Sequence, residues 1–171
     1  METLKAIHER HSIRKFKDEQ ISNEQLETIL KAAMAAPSAK DHRPWEFYVI
    51  KNKELQGKVK EGITFGKYDA PILLIVAIND KKALPSIMHD TSYCDINAAI
   101  ENILLAVTDL GLGAVWCAIY PNPMNASRIQ KTLELDEDIH PFSAIFIGHP
   151  SEDDMGRIKD KYDPNCIHIY E

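Results

Sequence analysis

Pro71-Ile72-Leu73-Leu74-Ile75-Val76-Ala77-Ile78 is an unbroken apolar run, bounded by Pro71 itself and by Asn79-Asp80. It lacks the alternation of a half-exposed strand, so it reads as a central strand covered on both faces. Three other segments join it as main strands. Trp45-Glu46-Phe47-Tyr48-Val49-Ile50 alternates, Ala114 to Tyr120 reads as another buried strand containing Trp116 and Cys117, and Phe142 to Gly148 reads as the last main strand. Ile167-His168-Ile169-Tyr170 has the look of a terminal strand.

The segments between these strands have helical spacing. Leu4, Ile7 and His8 suggest a short first helix ending near Arg10. Ser22 followed by Gln25 forms a capping box, after which Leu26, Ile29, Leu30, Ala33 and Met34 share one face until Pro37 stops the helix. A short surface helix is expected over 52–62. The longest runs from Ser92 to Leu110, with Ile96, Ala99, Ile100, Ile103, Leu104, Val107 and Leu110 covering more than half its circumference, so it is buried in the middle of the domain or against a second subunit. Gly111 is well placed as its C′ residue, and Asn122-Pro123 supplies an N-cap and an N1 proline for a last helix. The two glycines of Gly111-Leu112-Gly113 lie between helix and strand and lack a third, so they are not a dinucleotide fingerprint.

At 171 residues and 44% hydrophobic, the sequence reads as one compact domain over 1–171, with 151–171 as an extended tail poor in large apolar residues. Met1-Glu2-Thr3-Leu4-Lys5 lacks the form of a secretory signal and no apolar run is long enough to span a bilayer, so a cytoplasmic protein without membrane contact is expected. Cys94, Cys117 and Cys166 have neither disulfide nor zinc spacing and read as reduced thiols, at least two of them buried. A net charge of −6 argues against nucleic acid as a partner.

Against that acidic background, Arg10-His11-Ser12-Ile13-Arg14-Lys15-Phe16 reverses the field. Residues 1–17 hold Lys5, Arg10, Arg14, Lys15 and Lys17 against only Glu2 and Glu9. Two guanidiniums, an ammonium, an imidazole and a hydroxyl in seven residues read as an anion cradle, because a guanidinium fork matches a phosphate and Ser adds a short donor. A solvated helix end whose cations meet the helix dipole is the plainer reading. The polar loop from Ala36 to Pro44, set between a helix and a strand, suits either a ligand site or an ordinary connector.

Three separated motifs then agree with one family. Arg10-His11-Ser12-Ile13-Arg14, Ala36-Pro37-Ser38 leading to Pro44-Trp45, and Leu110-Gly111-Leu112-Gly113 followed by Trp116 resemble the flavin-dependent nitroreductase family in order and spacing. The resemblance implies an α+β, three-layer fold with a mixed central sheet flanked by helices. It also implies a homodimer with FMN at each subunit interface, a C-terminal tail extending onto the partner, and NAD(P)H-driven two-electron reduction. Carried over by position, Arg10, His11 and Ser12 match the residues holding the FMN phosphate and ribityl chain. Arg14 matches the cation near the flavin N1 and O2, and Lys67 looks like a second ring-facing cation. Pro37 and Ser38 match a segment contributed by the other subunit. The backbone at Trp116 and Cys117 would lie beside the isoalloxazine, while Arg157 and Lys159 resemble a phosphate-binding pair in the tail. Asp41 and Arg43 depart from the family's more usual amides.

A cation fixed near N1 stabilises the negative charge that accumulates there on reduction, so Arg14 and Lys67 are the catalytic candidates. No side-chain nucleophile is needed. The expected activity is ping-pong reduction of nitroaromatic, quinone or related small acceptors; the alternative is a dimeric FMN carrier or sensor without turnover. Gly-x-Ser-x-Gly is absent, which disfavours a hydrolase, and the seven histidines show no His-Glu-x-x-His, so no metal is expected.

Overall fold

The computed structural model describes residues 2–154, 158 and 160–171. Five helices, α1 (Thr3–Glu9), α2 (Asn23–Met34), α3 (Lys53–Lys60), α4 (Thr91–Asp109) and α5 (Pro123–Thr132), accompany four strands, β1 (Trp45–Ile50), β2 (Ile72–Asn79), β3 (Gly113–Ala118) and β4 (Ile139–Gly148). The sheet order is β1-β2-β4-β3. The apolar run is therefore interior, and all eight residues of β2 are buried.

Helices cover the sheet on both faces. On one side α2 and α4 bury Ile29, Ile100 and Ile103 against Leu74, Val76 and Ile145. On the other, α3 and α5 bury Val59 and Ile129 against Leu73, Ile75 and Phe146. Consecutive residues of β2 thus serve opposite cores, as the two-residue strand period requires.

Local chemistry sets the helix ends where the spacing predicts them. Ser22 Oγ accepts from Gln25 N at 3.1 Å while Gln25 Oε1 accepts from Ser22 N at 3.0 Å, completing the capping box. Asn122 caps α5 through Met124 N, with Pro123 following. At the end of α4, Leu112 N donates to Val107 O and Gly111 N to Thr108 O, a Schellman motif with Gly111 at φ 71°.

Four expectations change. The sheet is antiparallel in all three strand pairs, and its mixed character shrinks to one parallel bridge between Ser12 and Ala114. β3 is an edge strand whose Trp116 and Ala118 are exposed, because nothing among the described residues covers that part of its α4-side face. Residues 167–170 form no strand; the chain beyond 160 has one 3₁₀ turn at Pro164–Cys166 and is exposed. Only Cys117 is buried, since Cys94 sits on the outward stripe of α4 and Cys166 in the exposed tail. Among the described residues no helix is long and apolar enough to cross a membrane.

Candidate active site

The basic stretch leaves α1 and runs along the free edge of β3. Ile13 is its anchor: buried to 5% exposure, it donates from its backbone N to Ala114 O at 2.9 Å. It also lies so close to Gly113 that a Cβ there would sit 2.8 Å from Ile13 Cβ, so the approach requires glycine. With Ile13 turned inward, Ser12 and Arg14 point the other way, as alternation in an extended segment demands.

Ser12 and Arg14 line an open depression of about 920 Å³ together with Arg10, His11 and Asp154, rimmed by tail residues that include Lys161 and Tyr162. Arg10 reaches it from the C-cap of α1, three-quarters buried, with Nε 3.3 Å from Glu101 Oε1 of α4. His11 Nδ1 donates to the Glu9 carbonyl at 2.7 Å, which fixes the ring; its Nε2 is buried and has no hydrogen-bond partner among the described residues. Buried polar atoms are rarely left unpaired, so the orphaned Nε2 suits a polar occupant, while the two guanidiniums and the hydroxyl that line the same depression suit an anionic one.

Asp154 carries no sequence motif, yet it clamps this corner. Its Oδ2 accepts from Arg14 N at 2.6 Å and from Lys15 N at 2.9 Å, and these bonds hold its carboxyl below the usual range. Ser151 N to Lys15 O and Lys17 N to His149 O extend the same zipper between the two ends of the chain.

The remaining candidates fall into three groups. Cys117 and the Lys67 segment belong to the cradle's neighbourhood: the Cys117 thiol lies 3.9 Å from Gly66 O, one residue before the exposed Lys67, and the Arg14 charge acts on that thiol although burial pushes it up to about 11. Trp116 shares this backbone but places its side chain on the opposite face of β3, where Nε1 donates to Ser143 Oγ at 2.8 Å. Pro37 and Ser38 do not line the depression; they follow α2, where Ser38 Oγ accepts from Arg43 N and the next residue, Ala39, donates to Asp95 of α4. Arg157 and Lys159 lie outside the described residues.

Asp41 and Arg43, the departures from the family pattern, pair with each other through both carboxylate oxygens. The pairing lowers the carboxyl's pKa and raises the guanidinium's. Lys40, Asp41 and Arg43 all have φ between 49° and 58°, a left-handed conformation that non-glycine residues adopt at a cost of about 1–3 kcal/mol each and that concentrates at functional loops.

The fold and the cradle can now be set beside known proteins. Residues 7–64 and 56–149 match the sequence pattern of the nitroreductase family. A protein of Archaeoglobus fulgidus, provisionally named as an NADH dehydrogenase/NAD(P)H nitroreductase, is 39% identical over 170 residues, 98% of this chain and 97% of that protein. This chain belongs to the nitroreductase family. Among solved nitroreductase structures, one from Parabacteroides distasonis, provisionally named in the same way, superposes with a TM-score of 0.90 at 33% identity over 99% of this chain and 98% of that one. Another from Desulfovibrio desulfuricans, provisionally named a nitroreductase and solved in complex with FMN, superposes with a TM-score of 0.86 at 27% identity over 100% and 98% of the two chains. Sequence reading of this nitroreductase missed Asp154 and Glu101, since a clamp between the two ends of the chain leaves no local signal.

Proposed function

We propose that this chain is an FMN-dependent oxidoreductase that takes reducing equivalents from NAD(P)H and passes them to nitroaromatic, quinone or related small acceptors in ping-pong fashion. One observation carries the assignment: His11, whose buried Nε2 has no partner among the described residues, lines a single depression on the edge of β3 with Arg10, Ser12 and Arg14. Membership of the nitroreductase family and the likeness to an FMN complex support it.

The residues present suit the cofactor's polar arm. Arg10 and Ser12 are donors for a phosphate carrying roughly two charges. With Nδ1–H committed to Glu9, a neutral His11 offers Nε2 as an acceptor, the polarity that suits a ribityl hydroxyl; as imidazolium it would donate to phosphate instead. Arg157 and Lys159 are proposed to add positive charge from the tail. Arg14 and Lys67 are proposed to face the electron-rich edge of the ring, with the backbone of Trp116 and Cys117 alongside it.

Bound FMN would supply a two-electron hydride relay between the nicotinamide and the acceptor. The chain's own contribution is electrostatic: Arg14, its backbone fixed by Asp154, holds a guanidinium where negative charge develops, without a nucleophile or metal. The whole of 1–171 is proposed to act as one domain of a cytoplasmic homodimer, with 151–171 as the tail that crosses to the partner. Pro37 and Ser38 lie away from their own chain's depression, which supports a role across the interface. Purified protein is expected to absorb near about 450 nm, to bleach with NAD(P)H and to reoxidise with a quinone or nitroaromatic. A colourless protein that takes up no added FMN refutes the proposal, and a yellow one that never bleaches is a carrier.

A further inference from the structure

A second cavity, of about 220 Å³, lies at the far end of β3. Its wall is a cluster of three aromatic rings: Tyr93 from the first turn of α4, Tyr120 just beyond β3, and Phe142 from β4. Their centroids are 4.8 Å (Tyr93–Tyr120), 5.8 Å (Tyr93–Phe142) and 5.4 Å (Tyr120–Phe142) apart. A β-bulge builds this wall. Val76 pairs with Ser143 and Ala77 with Pro141, so Phe142 is the extra residue, and its carbonyl accepts from both Ile119 N and Tyr120 N. Burial and the neighbouring Tyr120 raise the Tyr93 phenol above its ordinary range, keeping the wall neutral.

One side of the cavity is polar. Asp80 accepts from His89 Nε2 through Oδ1 at 2.9 Å and from His140 Nε2 through Oδ2 at 2.7 Å. A carboxylate only accepts, so each ring donates from Nε2, and a neutral ring donating there keeps a lone pair on Nδ1. No group of three or more His, Cys, Asp or Glu among the described residues converges as metal ligands do. Asp80 thus holds two imidazoles that line the cavity beside its aromatic wall.

We propose that this cavity is a subsite for a single-ring phenolic aromatic, whose ring stacks on Tyr93, Tyr120 and Phe142 and whose O–H donates to the imidazole of His89 or His140. Its role as a substrate subsite rests on the flavoenzyme reading above. The cavity lies at the end of the sheet between α4 and α5, and its Tyr120 is about 20 Å along the chain, at roughly 3.3 Å per strand residue, from the Ala114 that the cradle segment contacts. Stacked rings in partly desolvated pairs add affinity, and the hydrogen bond adds selectivity.

The test uses FMN-loaded protein and two probes with the same ring, 4-cyanophenol and its methyl ether, titrated by calorimetry at about pH 7.5, where an ordinary imidazole is mostly neutral. The phenol is expected to bind at least about tenfold tighter than the ether. Asp80→Asn, whose amide can donate to Nε2 and release the tautomers, is expected to bring the two within about twofold. Ala126→Phe, which fills the cavity from α5, is expected to abolish binding of both while leaving the flavin spectrum unchanged. Equal affinities in the wild type overturn the proposal, as does undiminished binding in Ala126→Phe. If either variant fails to fold, the phenol-to-ether ratio of the wild type decides. A protein that holds FMN but does not discriminate overturns the cavity assignment alone. One that discriminates but takes up no FMN overturns the flavoenzyme reading, and with it the cavity's role as a substrate subsite.

Discussion

The two ends of β3 present opposite chemistry. At the Gly113 end, one contiguous stretch supplies Arg10, His11, Ser12 and Arg14, and charge dominates. At the Tyr120 end, Asp80 follows β2, His89 and Tyr93 flank the start of α4, Ala126 comes from α5, and His140 and Phe142 from β4, and the surface is mostly aromatic. A cationic cradle can be local because charge acts through space and tolerates a loosely defined geometry. A stacking cavity cannot, since van der Waals contact requires surfaces placed to within a fraction of an ångström.

Truncating each end in turn should separate them. Phe142→Ala removes a buried ring and is expected to cost about 3–5 kcal/mol of stability, read as a lower urea midpoint, with flavin affinity unchanged under conditions where the variant is folded. Arg10→Ala should do the reverse, weakening FMN binding by about 10- to 100-fold in a fluorescence titration, with stability changed by less than about 1 kcal/mol because its partner Glu101 is half-exposed. If Arg10→Ala keeps full flavin affinity, the cradle end does not bind through charge and the contrast fails.

Gly113→Ala tests the seam between strand and cradle. A Cβ there meets Ile13 Cβ, Cγ2 and Cγ1 at 2.8, 2.8 and 2.9 Å, and a β-branched side chain cannot rotate Cβ away. We expect a loss of about 1–3 kcal/mol in denaturant melts, accompanied by weaker flavin binding because the 12–14 segment must shift off β3. The smallest effect is that of Asp154. Its folded-state pKa lies below the ordinary carboxyl value, so the stability it contributes is present above about pH 4 and is lost as pH falls through the folded pKa. At this partly solvated site that is about 0.5–1 kcal/mol at neutral pH. Asp154→Asn should remove it and flatten the acid limb of a stability–pH curve.

Much of the cradle was legible from its residues. Arg10, His11, Ser12 and Arg14 are neighbours in sequence, so an extended segment suffices to gather them. Asp154, 140 residues from Arg14, was not legible, because a tail that turns back at Pro150 shows only as a change in composition. Exposure of β3 was misread for a similar reason: Trp116 and Ala118 are apolar enough for a core, and only the sheet order makes theirs an edge strand.

The amino-acid order by itself determined the five helices, the four main strands and several helix ends, since hydrophobic period, capping side chains and Gly111 act over a few residues. It also placed four donors, Arg10, His11, Ser12 and Arg14, side by side in one short stretch. The tertiary structure alone decided that β3 lies at the edge and that the tail clamps Arg14. It alone gathered an aspartate, two histidines and three rings around a bulge. Those outcomes depend on contacts between segments tens of residues apart, and such contacts exist only once the chain has packed.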